Sequence, residues 1–162
     1  MELIKRTIVR VLALAAVLVL TLAPSHAGDG PVANLVGTWS GSGEAFLDGG
    51  KTEQMRCKGY YTGQGSDGLG VAIRCANSSS NIDLRANLTF ANGGVSGNWE
   101  ERTYNAAGTV TGKASSDKVD LAITGGGLTA SMAVAIKGAA QSVSIKTQGS
   151  GLKGVRINMT RG

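Results

Sequence analysis

The chain has 162 residues and a formal net charge of +5, but Lys5, Arg6, Arg10 and Glu2 all fall in an N-terminal leader. Residues 28–162 keep thirteen basic and ten acidic residues, net +3, which removes the main compositional support for a nucleic-acid partner. The only histidine, His26, lies in the same leader, so the remaining domain has neither a Ser-His-Asp triad, a Cys-His pair nor a histidine metal site.

Residues 1–27 read as a secretory signal peptide. Lys5, Arg6 and Arg10 form a positive start, 8–22 is apolar, and Ser25-His26-Ala27 predicts cleavage after Ala27. The apolar run is short for a spanning helix and Pro24 follows it. No membrane span is therefore expected after cleavage. The leader is of bacterial type, placing the protein in the periplasm or outside the cell. Three sequons, at Asn77, Asn87 and Asn158, would matter only in a eukaryotic secretory pathway.

From residue 28 on, one domain is expected, and short alternating segments follow one another between glycine, asparagine and serine turns. The first runs over 35–47, starting with Gly37-Thr38-Trp39, and the second over 51–62. Leu69, Val71, Ile73 and Cys75 make the third. Ile82, Leu84, Ala86, Leu88 and Phe90 alternate with polar residues in the fourth. Val95, Gly97 and Trp99 mark the fifth, 109–114 the sixth, and Val119, Leu121 and Ile123 the seventh. The alanines of 129–140 favour a helix, but Val134 and Ile136 alternate with Ala133 and Ala135, so this too reads as strand. Val143 with Ile145, then Val155, Ile157 and Met159, complete about ten strands.

Short connections imply antiparallel neighbours. The expected fold is all-β, a single up-and-down barrel of eight to ten strands, with a β-sandwich as the alternative that leaves four edges to protect. Gly41, Gly43 and Gly97 suit barrel corners. The outward parity carries Arg56, Lys58, Arg74, Asp83, Arg85 and Glu100 at mid-strand. A membrane barrel would place such residues against lipid, at up to about 2–4 kcal/mol for each basic one.

Cys57 and Cys75 stand in similar Arg-Cys dipeptides on the second and third segments. Export, an even count and inward parity predict a disulfide, with a register in which Gly59 opposes Ile73, Tyr61 opposes Val71 and the turn centres on Ser66. Such a loop closure stabilises by about 3 kcal/mol. In Gly97-Asn98-Trp99-Glu100-Glu101, alternation sends Glu101 inward and Glu100 to solvent, so the two cannot act as a carboxylate pair. Glu101 is then either a strand-end residue at the barrel mouth or a ligand contact. Gln141 is a second polar residue on an apolar face. With Tyr61, Trp39 and Trp99 these make the candidate ligand-facing set. From Lys137 onward, Lys137, Lys146, Lys153, Arg156 and Arg161 face no acidic residue, which suits either a solvated barrel edge or an anionic partner such as a lipid headgroup or cell-wall polymer.

The Gly37-Thr38-Trp39 start resembles the Gly-x-Trp signature of lipocalins and other calycin barrels. That resemblance implies a tryptophan closing the barrel floor under a basic residue from the last strand, here Arg156 or Arg161. The family's second and third motifs and its helix after the barrel have no counterpart. More broadly, the chain is similar to small exported bacterial proteins of uncharacterised function that share an opening Gly-x-Trp-Ser-Gly and a later pair of Arg-Cys dipeptides. No activity comes with that likeness. The expected role is non-enzymatic binding of a small hydrophobic or amphipathic ligand in the barrel, with no cofactor and no metal. The rivals are an envelope interaction module or hydrolase inhibitor acting through loops and surface, and a carboxylate-based enzyme acting on glycans.

Overall fold

The computed structural model describes residues 30–162, so the leader and its cleavage site lie outside the described residues. A short helix, α1 (Pro31–Leu35), precedes ten strands: β1 (Gly37–Leu47), β2 (Thr52–Gln64), β3 (Gly68–Ala76), β4 (Asn81–Ala91), β5 (Gly94–Glu101), β6 (Ala106–Ala114), β7 (Lys118–Gly125), β8 (Leu128–Lys137), β9 (Ala140–Gln148) and β10 (Leu152–Arg161). Each strand pairs antiparallel with the next, and β1 pairs with β10, so the sheet closes into one up-and-down barrel. Closure gives every strand two neighbours, which the sandwich alternative would not.

Alternation places the core as read. Leu88 and Phe90 of β4, Val119 and Leu121 of β7, and Val155, Ile157 and Met159 of β10 are buried inside, while Arg56, Lys58, Arg74 and Glu100 are exposed on the outer wall. Cys57 and Cys75 are bonded, and the β2–β3 register matches the expected one, Gly59 against Ile73 and Tyr61 against Val71. The 129–140 region is strand, turned at Gly138 with φ +58. The corner glycines are forced: a Cβ on Gly41 would lie 1.9 Å from the Asn158 carbonyl oxygen, and one on Gly97 would lie 2.1 Å from that of Asn87. Among the described residues no helix is long and apolar enough to cross a membrane.

The first segment differs from its reading at 35–47. Leu35 belongs to α1, and the strand begins only at Gly37. Pro31 presets the helical φ, and Val32 and Leu35, three apart, put both apolar side chains on one face, turned into the barrel. Five residues cannot hold a helix alone, so packing on the barrel end keeps it.

The two ends of the barrel therefore differ. At the closed end, α1 lies with the turns β2–β3, β4–β5, β6–β7 and β8–β9, and Trp39, Leu69 and Met159 are among the largest fully buried side chains. At the open end, the inward-register residues Ile82, Leu84, Ile123, Met132, Ile145 and Leu152 are only partly buried.

Candidate functional site

The closed end is built on Trp39, whose exposure is 0%. Its indole N–H donates to the Leu35 carbonyl at 2.8 Å, satisfying one of the carbonyls that a helix C-terminus leaves free. Arg161, opposite Trp39 in the β1–β10 register, stacks its guanidinium 4.6 Å from the indole centroid and donates to the carbonyls of Val36 and Asn34. Arg161 is thus the basic residue over the tryptophan. Arg156 points to the outer wall and lies 5.2 Å from the Phe46 ring. The Gly-x-Trp start has a local cause as well. Gly37 has φ +135, and a Cβ there would meet the Arg161 guanidinium at 3.0 Å.

At the same end, Tyr61 and Gln141 meet although 80 residues separate them. Both are buried, and the Tyr61 hydroxyl donates to Gln141 Oε1 at 3.4 Å. The Tyr61 ring is tilted by 36° to that of Trp39, with centroids 6.4 Å apart. Burial pushes the Tyr61 phenol up to about 12, with the Gln141 hydrogen bond pulling the other way, so it keeps its proton at neutral pH. The deepest polar pair of the barrel is therefore uncharged.

Trp99 and Glu101 belong to the other end. Trp99 is buried on the inner wall opposite Gly108 and donates from its indole to the Thr124 carbonyl at 3.1 Å. Glu101 is 8% exposed and Glu100 is exposed, as the strand parity requires. The Glu101 carboxylate accepts from the backbone N–H groups of Asp83 at 2.8 Å, Thr103 at 3.2 Å and Tyr104 at 2.6 Å. Burial alone would raise its pKa, but these donors outweigh burial and hold it below the usual carboxylate range. It ties the β5–β6 turn to the start of β4. These contacts fit the strand-end reading of Glu101 better than that of a ligand contact.

The five predicted residues thus fall into two groups, Trp39, Tyr61 and Gln141 near the floor, and Trp99 and Glu101 near the mouth. The sequence reading missed the half-exposed aliphatic ring at the mouth. Those residues alternate like the rest of the core, and nothing local distinguishes a covered inner face from an open one. Among the described residues, no group of three or more His, Cys, Asp or Glu side chains is placed to hold a metal.

No protein-family model matches the sequence, and no curated protein matches it. The fold has counterparts among solved structures. Rv2717c from M. tuberculosis superposes with TM-score 0.69 at 14% identity, over 81% of this chain and 94% of that one. A phycobiliprotein lyase, CPES from Guillardia theta, gives 0.56 at 14% identity over 81% and 90%. A structure of EF1p2_mFAP2b bound to DFHBI gives 0.51 at 11% identity over 82% and 97%. At such identities the likeness is one of fold: a calycin-like barrel.

Proposed function

We propose that this chain is an exported, non-enzymatic binding protein that takes a small hydrophobic or amphipathic molecule into the barrel through its open end. The observation that carries the reading is the difference between the ends. One is covered by α1, Trp39 and Arg161, while the other leaves Leu84, Ile123, Met132 and Ile145 of the inner wall only partly buried. Exposed apolar surface costs about 25 cal/mol per Å², a cost that an apolar guest removes. Trp99 is the inner aromatic that would first meet the guest, and the neutral Tyr61–Gln141 pair lies with Trp39 toward the closed end of the barrel. Barrels of this fold include one described as a lyase and one described as bound to a small molecule, DFHBI, which supports the use of the interior. Export rests on the leader, and the Cys57–Cys75 bond is compatible with an oxidising compartment.

Native mass spectrometry of protein purified from its own host tests the reading. A retained ligand adds mass, and Ile145→Arg at the mouth should abolish that mass while the fold survives. Protein with no added mass, and with no response of tryptophan fluorescence to a fatty acid or apolar dye, would overturn it. The first residue of the exported protein checks the leader, expected to be Gly28.

A further inference from the structure

The two Arg-Cys dipeptides do more than supply a disulfide. Because strand residues alternate, each sulfur points inward while its arginine goes to the outer wall. The Cys57–Cys75 bond joins two directly opposed residues, and in that register Lys58 stands opposite Arg74 and Arg56 opposite Ala76. Opposed residues lie about 5 Å apart at Cβ, and same-face neighbours along a strand about 7 Å apart. Arg56, Lys58 and Arg74 therefore form a tight triangle of cations on strands clamped from behind. Like charges directly opposed destabilise a sheet, and nothing in the packing of the barrel requires them.

These three side chains line a groove of about 940 Å³ on the outer wall, with Tyr60, Asn81 and Thr103. Asp83 is the one carboxylate among its lining residues, and it is shared between Arg85 at 2.9 Å and Arg74 at 3.7 Å. Arg56 and Lys58 have no ion pair among the described residues. Tyr60 is 42% exposed, one of two large hydrophobic side chains exposed among the described residues. Three of the C-terminal cations are engaged. Lys153 pairs with Asp48 at 2.7 Å, Arg156 lies over Phe46 and Arg161 over Trp39.

We propose that this groove binds a segment of anionic polysaccharide, its carboxylate or phosphate groups on Arg56, Lys58 and Arg74 and a sugar ring against Tyr60. Arginine forks match planar carboxylates and phosphates. Ser40, Asn81 and Thr103 offer uncharged donors and acceptors of the kind sugar hydroxyls need. A single-stranded nucleic acid would want a row of stacking aromatics, and the groove holds only Tyr60. A protein partner would want an apolar interface core, which these residues do not provide. The site is on the outside of the barrel and is independent of a ligand within it.

The test is binding of the exported protein to fluorescently labelled oligogalacturonate at low and high salt. Binding should weaken with salt, as for exposed charges. Lys58→Gln/Arg74→Gln should lose about tenfold in affinity or more, a change of about 1.4 kcal/mol. Lys137→Gln/Lys146→Gln removes the same charge elsewhere and should change affinity by less than about twofold. Tyr60→Ala should weaken binding at constant charge, and Asp83→Asn should tighten it. Equal losses in the two double variants would reduce the effect to net charge and overturn the proposal. So would the absence of binding. Displacement at lower concentration by oligothymidylate, polyglutamate or phosphatidylglycerol vesicles would overturn it in favour of a nucleic acid, an acidic peptide or a membrane surface.

Discussion

The closed and open ends of this barrel are made from the same ten strands and the same alternation, yet at one a tryptophan is fully buried beside α1 and at the other the apolar inner residues are only partly buried. At the closed end, contacts from α1 and from the last strand converge on a single side chain. Trp39 donates to the carbonyl of Leu35 and stacks against Arg161 of the last strand, whose guanidinium is held by the same segment. At the open end the polar contacts hold turns, where Glu101 gathers three backbone N–H groups and Asn77 those of Ser79 and Ser80, and the inner aliphatics stay partly buried. Stability is therefore expected to concentrate at the floor and binding at the mouth.

Trp39→Ala should break that division most severely. Removing a fully buried indole costs about 3–5 kcal/mol, measurable by urea denaturation. Ile145→Ala, at the mouth, should cost only about 1 kcal/mol. Equal losses at both positions would mean that the two ends are packed alike.

Glu101→Ala should come next, at about 1–3 kcal/mol, because three N–H donors lose their acceptor. Glu100→Ala should stay within about 0.5 kcal/mol. The sign with pH follows from the lowered pKa of Glu101. Its contribution is present above the ordinary carboxylate pKa and is lost as acidification carries the pH through the depressed folded value. Acid titration of stability should show that loss in the wild type and not in Glu101→Ala. A Glu100 effect larger than that of Glu101 would reverse the faces of β5.

Arg161→Met removes the stack on Trp39 and two charge-assisted donors, and should cost about 1.5 kcal/mol. Arg161→Lys keeps the charge but not the planar fork that reaches both the Asn34 and Val36 carbonyls, so it should recover only part of that loss. Full recovery by lysine would show that the charge alone secures the floor.

Tyr61→Phe should have the smallest effect near neutral pH, about 1 kcal/mol, from the lost hydrogen bond to Gln141. Its signature is alkaline. A raised folded pKa stabilises the protein below the unfolded value of about 10, and that stability is lost as pH rises toward about 12. The wild type should therefore destabilise over this range by an increment absent in Tyr61→Phe.

Much of the molecule was legible from alternation alone. Ten strands, the inward set, the β2–β3 register and the opposite faces of Glu100 and Glu101 follow from a period of two, which is a local property of the extended chain. Cys57 and Cys75 added a long-range constraint because their pairing ties two strands at a known parity. The α1 turn escaped, because 31–35 is too short for helical periodicity to stand out and its helix exists only on the barrel end. Tertiary closure decided the rest. It set which end α1 covers, chose Arg161 rather than Arg156 for Trp39, and brought Tyr61 to Gln141. It also gathered Arg56, Lys58 and Arg74 on one wall. Alternation assigns a residue to a face but says nothing of its height on the barrel or of its neighbours across it, and these depend on how ten strands close around one axis.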